Sequence, residues 1–323
     1  MTSAASGRVL VTGADGFIGR ALCTHLAQRG IEHVAVVRAN ANGEAMGAQR
    51  VALGDFAAAD WDATLAGIDT IVHLAGRAHV LRERTASATP NIVANVHVVR
   101  RLLDAAVRAR VRRVILASTI KVYGDATSPG RPFRAGDPSH PSGAYALSKA
   151  EAENVLREVA QTHGIEAVVL RLPLVYGPGV KGNFLKLLEA IAGRRRLPLA
   201  GVANQRSLLY VGNAVSAIEA ALTAPALVGE VLPLADAESI STPRLIEALA
   251  RAIGVSTAQY RVPTIALRAG AALTGRRGTA QRLLGSLEVD STRFRELARW
   301  TQPMSVDEGL AATGAWWRLQ HAL

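Results

Sequence analysis

The stretch Arg8-Val-Leu-Val-Thr-Gly-Ala-Asp-Gly-Phe-Ile-Gly19 decides how the chain folds. A β-branched run gives way to three glycines spaced by three, and apolar residues at helical spacing then continue to Gly30. This reads as strand, turn, helix. Gly13, Gly16 and Gly19 allow a tight turn, close backbone approach to a diphosphate and close packing of the helix, whose N-terminus favours an anion. The rhythm recurs: strands are expected near 33–38, 50–53, 69–75, 113–118 and 166–172, alternating with helices that include 91–109 and 144–163. Such alternation predicts an α/β fold of the Rossmann type, a doubly wound parallel sheet with helices on both faces.

After Arg171-Leu-Pro-Leu-Val-Tyr-Gly-Pro-Gly179 the pattern changes. Helices are expected at 183–193, from 213, and at 242–253, 264–273, 292–298 and 306–320, with a strand at 207–211. Residues 1–172 therefore read as a dinucleotide-binding domain to which 207–235 returns. Residues 173–206 and 236–323 read as a smaller, mostly helical substrate cap, packed in part by Trp316 and Trp317.

At 323 residues and 49% hydrophobic composition the chain can bury a sizeable core. No apolar run reaches the roughly 18 residues of a membrane span, and no signal sequence precedes the first strand, so a cytoplasmic protein with no membrane partner is expected. Cys23 is the single cysteine, which excludes an intrachain disulfide and suits a small buried helix residue. The net charge of +11 raises the question of nucleic acid. The excess is arginine, since only residues 121, 149, 181 and 186 are lysine, and it is spread along the chain without interleaved aromatics. A solvated basic surface is expected, not a nucleic-acid partner. His73 and His79 flank a loop, and no cluster has metal-ligand spacing.

The chemistry sits in Tyr145-Ala-Leu-Ser-Lys149 and the Ser118-Thr119 pair upstream. Residues four apart share a helix face. An ammonium there favours a tyrosinate, drawing the phenol down from its ordinary ~10, and can also bind the nicotinamide ribose. Tyr145 is then the acid/base, and Thr119 hydrogen-bonds the reacting oxygen. Strand 2 ends in Val36-Val37-Arg38, where a carboxylate would bind an adenosine ribose. Arg38 suits a 2′-phosphate, so NADP(H) is favoured, with NAD(H) as the alternative if Arg38 instead stacks on adenine. Asp55, in Leu53-Gly-Asp-Phe56, is placed either to meet the adenine or to form a turn.

With these motifs in place the chain resembles an extended short-chain dehydrogenase/reductase of the nucleotide-sugar epimerase/dehydratase group. The resemblance runs nearly end to end. It extends to His73-Leu-Ala-Gly-Arg-Ala-His-Val80, Ala117-Ser-Thr-Ile-Lys-Val-Tyr-Gly124, Arg206-Ser-Leu-Leu-Tyr-Val211 and Leu297-Ala-Arg-Trp-Thr-Gln-Pro303. It implies a catalytic set of Thr119, Tyr145 and Lys149. It implies a cofactor site that adds Phe17, Ile18, Phe56, Leu74, Ala75, Ser118 and Pro173 to the glycines, Arg38 and Asp55. It also implies a nucleotide-sugar substrate held through its diphosphate by Asn183 and Arg206, assisted by Arg282, and a homodimer formed through helices 91–109 and 144–163.

Two departures matter. Ile120-Lys121 stand where the 4,6-dehydratases of the group resemble one another in carrying an acidic pair, which disfavours that elimination and glutamate-dependent decarboxylation. Asn95 lacks the usual Gly-Thr after it. Reduction of a UDP- or dTDP-linked 4-keto-6-deoxy sugar for bacterial surface polysaccharide is the leading expectation, because Arg38 suits an exchangeable coenzyme and Ser-Thr-Ile-Lys-Val followed by Pro132-Phe133 looks like the bacterial 4-ketosugar reductases. The alternative is a UDP-hexose 4-epimerase acting on glucose or N-acetylglucosamine with tightly held NAD. A non-catalytic dinucleotide-binding regulator is a third reading, disfavoured by the presence of both Tyr145 and Lys149.

Overall fold

The computed structural model of the chain describes residues 7–38, 49–76, 88–128, 130–275 and 277–321. Its main sheet is built from β1 (Val9–Thr12), β2 (His33–Val37), β3 (Gln49–Ala52), β4 (Thr70–His73), β5 (Arg113–Thr119), β6 (Glu166–Leu172) and β9 (Val231–Pro233). The order is β3-β2-β1-β4-β5-β6-β9, and every pairing is parallel. Strand order reverses between β1 and β4, where Thr12 lies opposite His73. In open α/β sheets this is where ligands collect.

Parallel strands covered on both faces must be apolar throughout, because successive side chains point to opposite layers. Val9 and Val11 enter one layer, with Leu22 and Leu26 of α1 (Phe17–Gln28) and Ile218 of α6 (Val211–Thr223). Leu10 enters the other, with Leu102 and Leu103 of α3 (Ala88–Arg108) and Val155 and Leu156 of α4 (Gly143–His163). Cys23 is buried in the first layer, where burial pushes its thiol up to about 12. The basic pair Arg112-Arg113 ties together the amino ends of three strands. Arg112 reaches Asp69 at 2.9 Å and Glu166 at 2.6 Å, and Arg113 reaches Glu166 at 2.7 Å.

The elements after β6 depart from expectation in one respect. The strand expected at 207–211 does not enter the main sheet. It is β8 (Leu208–Tyr210), paired in parallel with β7 (Leu174–Tyr176) in a separate two-stranded sheet. Pro173 is the cause, since it has no N–H with which to continue the β6 ladder, and the chain leaves in a new direction. From the 207–235 stretch, α6 packs on the main sheet and β9 forms its edge, ending in Pro233, where a missing donor is tolerated. The one-turn helix α2 (Trp61–Thr64), capped by the Asp60 side chain, had no sequence signal beyond that cap and a buried Trp61.

A third core lies beneath the second sheet. Tyr176 and Tyr210 pack with Phe184 and Leu188 of α5 (Gly182–Ala192), Ile246 and Leu249 of α7 (Thr242–Ile253), and Leu310 and Trp317 of α11 (Val306–His321). Trp317 is buried and stacks on His321 with ring centroids 3.8 Å apart. The shorter helices α8 (Thr264–Leu273), α9 (Arg277–Leu284) and α10 (Thr292–Ala298) complete the C-terminal part.

Helix α11 lies against α7 because Gly314 has no side chain: a Cβ there would stand 2.4 Å from Ala252 Cβ and 2.7 Å from its carbonyl carbon. Backbone cannot give way as a flexible side-chain end does. Gly314→Ala is therefore expected to destabilise the protein by about 1–3 kcal/mol, read as a lower urea midpoint. An unchanged midpoint would show that the two helices are not in close contact.

Candidate active site

The glycine loop between β1 and α1 leaves no room for side chains. Gly13 has φ +68°, and a Cβ on it would meet the Ala75 backbone at 2.9 Å. A Cβ on Gly19 would lie 2.1 Å from the Gly13 carbonyl oxygen. Gly16 is the N-cap of α1, with no capping side chain and no acid in the first turn. The leading N–H groups of α1, at Phe17 and Ile18, are thus available to an anion. Across the strand-order switch, the Thr12 hydroxyl shares a hydrogen bond of 2.9 Å with His73 Nδ1 and accepts one from the Ala75 N–H at 3.3 Å. This clamp sets Leu74 and Ala75 beside the loop. His73 is buried, and burial together with the Lys149 charge holds its imidazole down to about 3, so it is a neutral core residue. His79 lies outside the described residues, as does the side chain of Asn95.

Tyr145 and Lys149 lie one turn apart near the start of α4, both half-buried. Lys149 Nζ donates to the Ala117 carbonyl at 2.9 Å, which pins α4 to the carboxyl end of β5. Burial pushes the Lys149 ammonium down to about 8, against the attraction of the Glu153 carboxylate. Burial also pushes the Tyr145 phenol up, opposite to the direction expected from its lysine neighbour. The Lys149 ammonium is directed instead at a backbone carbonyl.

Thr119 ends β5 and caps a short 3-10 turn at Ile120–Val122, its Oγ1 accepting from the Lys121 N–H at 3.3 Å. Ile120 is buried, and Lys121 pairs at the surface with Asp125 at 3.3 Å. Ser118 points the other way, its hydroxyl donated to the Glu153 carboxylate. The Glu153 cluster went unnoticed in the sequence, although Glu153 falls on the helix face of Tyr145 and Lys149.

At the adenosine end, Arg38 is exposed just beyond β2, and Pro173 follows β6 half-buried. Asp55 Oδ1 accepts from the Ala57 N–H at 3.0 Å, a turn of its own making, and Phe56 is buried with its ring edge-on to Trp61. On the substrate side, Asn183 is exposed at the first turn of α5. Arg206 donates to the Gly285 carbonyl at 2.9 Å. Burial and the nearby Arg282 charge hold its guanidinium below the usual arginine range. Among the described residues no carboxylate forms an ion pair with Arg206, so its guanidinium is suited to an anion. Asn204, also unnoticed in the sequence, builds this corner. It is buried and donates to the Leu283 and Gly285 carbonyls, both at 3.1 Å, while its Oδ1 accepts from the Thr242 N–H at 2.9 Å. Among the described residues no group of three or more His, Cys, Asp or Glu could hold a metal, and no helix is long and apolar enough to cross a membrane.

The profile of the NAD dependent epimerase/dehydratase family matches residues 9–233, from the first residue of β1 to the last of β9. The chain belongs to that family, as its extended short-chain dehydrogenase/reductase motifs imply, and is an enzyme. It is 32% identical over 314 residues to a UDP-glucose 4-epimerase of Vibrio cholerae, spanning 94% of each chain. It is 30% identical to a dTDP-glucose 4,6-dehydratase of Streptomyces griseus, spanning 96% of this chain and 93% of that one. The fold matches a UDP-glucuronic acid 4-epimerase from Bacillus cereus in complex with NAD, with a TM-score of 0.78 over 97% of this chain and 99% of that one at 22% identity. The family is NAD dependent by description, and nothing in these relatives supports the NADP(H) preference expected from Arg38.

Lys149 gives the site a signature in stability. A lysine whose folded value is about 8 is charged in both states below that pH, where its burial costs the full amount; the cost fades as pH rises from 8 towards the ordinary 10.5. Lys149→Met should therefore raise the melting temperature at pH 7, with a gain that shrinks by pH 10. An equal shift at both pH values would mean that the ammonium is not held against desolvation.

Proposed function

We propose that the protein is a 4-epimerase of a UDP-linked hexose, working with NAD that stays bound through the cycle. The observation that carries this reading is its likeness to a UDP-glucose 4-epimerase along 94% of both chains, combined with Thr119 at the end of β5 and the Tyr145–Lys149 turn of α4, which Lys149 ties to the Ala117 carbonyl of the same strand. The glycine loop fits a dinucleotide, because Gly13 and Gly19, where a Cβ would strike the Ala75 and Gly13 backbone, leave it free of side chains beside the uncapped N-terminus of α1. Gly13, Gly16 and Gly19 would hold the diphosphate, Lys149 the nicotinamide ribose, and Asp55 and Arg38 the adenosine. When bound, the dinucleotide supplies a hydride acceptor on the outward pass and a donor on the return.

The chain's own residues do the rest. Arg206, with Arg282 and Asn183, binds the diphosphate of the nucleotide sugar and leaves the hexose to reach β5. Thr119, whose Oγ1 accepts from the Lys121 N–H, has its own hydroxyl proton to give to O4 of the sugar. Tyr145 takes the proton from the 4-hydroxyl as C4 gives up its hydride, leaving a 4-ketosugar, and returns it as the hydride comes back to C4 once the sugar has presented its other face. The Lys149 charge stabilises the tyrosinate during that interval. A homodimer through α3 and α4, the two helices expected to pair, belongs to the same proposal.

Dehydration is disfavoured at one position. It needs an acid and a base at C5 and C6, and Ile120 is buried while Lys121 is engaged with Asp125. Reduction of a 4-keto-6-deoxy sugar keeps one specific support, Arg38 at the end of β2. The two readings part in a direct assay. Purified protein should interconvert UDP-glucose or UDP-N-acetylglucosamine with its 4-epimer without added coenzyme, and Tyr145→Phe should lower that rate by about 10²–10⁴-fold while NAD affinity holds. Stoichiometric NADPH or NADH oxidation with UDP- or dTDP-4-keto-6-deoxy sugars, and no epimerisation, would make the protein a reductase.

A further inference from the structure

Glu153 follows Tyr145 by eight residues and Lys149 by four, so all three lie on one face of α4. It is a carboxylate in the core, 2% exposed. Arg171 of β6 grips it with the Nε–Nη2 edge of its guanidinium: Nη2 lies 2.6 Å from Oε2, and Nε lies 3.1 Å from Oε1 and 3.3 Å from Oε2. The Ser118 hydroxyl donates to Oε1. Arg171 is itself 4% exposed; it also donates to Ser139 Oγ at 3.1 Å, and its guanidinium sits 4.2 Å over the Tyr123 ring.

Stability does not account for such a pair. Two ions taken from water lose much of what their attraction returns, and apolar side chains of the same volume commonly serve as well. Its placement offers another reason. Ala117, Ser118 and Thr119 are the last three residues of β5, and each is engaged: Ala117 by Lys149, Ser118 by Glu153, and Thr119 at the reacting end. Among the described residues the groups that face Lys149 are neutral His73 and the Gly76 backbone after β4, Glu153 on its own helix, with Tyr145 one turn before it, and the Ala117 carbonyl of β5, with Arg171 of β6 behind Glu153. Glu153 is the one negative charge among them.

We propose that Glu153 is a positioning residue for the reaction: anchored by Arg171 and Ser118, it keeps the Lys149 ammonium charged and in register with the end of β5. Arg171 tempers that carboxylate, so the charge felt at Lys149 is set by the balance of the pair. This rests on the Tyr145–Lys149 reading given above, and its test is read on Lys149 itself, without substrate.

The chain has only four lysines, at 121, 149, 181 and 186. Carbon-13 labelling at lysine Cε therefore gives four NMR titration curves, with Lys149 assigned through Lys149→Arg. Glu153→Gln should move the Lys149 midpoint to lower pH by about one unit. Arg171→Met, which leaves the carboxylate without its counterion, should move it to higher pH, and Glu153→Gln/Arg171→Met should fall between the two. The alkaline limb of the epimerisation rate should move in the same order. A pair that only supports the fold would give a common loss of stability with no opposed shifts, and identical midpoints in all variants, or two shifts of the same sign, would overturn the proposal. Ordered midpoints with an alkaline limb that ignores them would uphold Glu153 and reject the catalytic reading of Lys149. If Glu153→Gln does not fold, Arg171→Met and the charge-balanced double variant still decide the sign.

Discussion

Burying the Lys149 ammonium where the parallel strands end is costly, and much of the surrounding structure offsets that cost. The Ala117 carbonyl accepts one of its hydrogen bonds, and the Glu153 carboxylate lies one helical turn away. Arg171 in turn keeps that carboxylate from standing alone in the core. The result is a lysine poised near pH 8, close enough to working pH for small changes around it to matter. The fold makes this arrangement possible. Parallel strands have their carboxyl ends together, so residues from β1, β4, β5 and β6 meet although they are far apart in sequence. The Thr12–His73 contact closes the same edge on the glycine side and contributes no charge.

Much of this was legible in the sequence. Val9-Leu-Val passing into Gly13, Gly16 and Gly19 identified the first strand–turn–helix, because only glycines fit where a Cβ would strike backbone. The spacing of Tyr145 and Lys149 placed them on one helix face without further information. Other parts depend on tertiary contacts that no local pattern encodes. The separate β7–β8 pair arises where Pro173 interrupts the ladder, and a three-residue strand carries too little periodicity to say which neighbour it will choose. Glu153 and Arg171 resemble surface residues in composition and become a core pair only when α4 is laid on β6. Asn204 likewise acquires its role from the 283–285 backbone it holds. The direction of the Tyr145 shift was not legible for the same reason, since helix spacing shows that a lysine is near but neither that the phenol is buried nor that the ammonium turns to Ala117.

Arg38 illustrates how far one residue can be pressed. A guanidinium at the end of β2 suits a 2′-phosphate, and that reasoning led to NADP(H) and to a reductase. The family is NAD dependent by description, and one of the relatives matched along nearly the whole chain is a UDP-glucose 4-epimerase. A planar guanidinium at an exposed strand end can equally lie on an adenine ring, so the residue does not separate the two coenzymes by its chemistry alone. The site at β5 bears on the proposal differently, because the proposed proton transfer at O4 uses a tyrosine and a hydroxyl, which α4 and the end of β5 supply.

The central claim is that hydride leaves C4 of a nucleotide sugar and comes back to the same carbon. UDP-glucose deuterated at C4 tests it most directly. Incubated with the protein to equilibrium, it should yield the 4-epimer with deuterium still at C4, none released to water, and no net change in coenzyme. Loss of the label to solvent, or unepimerised sugar after complete incubation, would contradict the account.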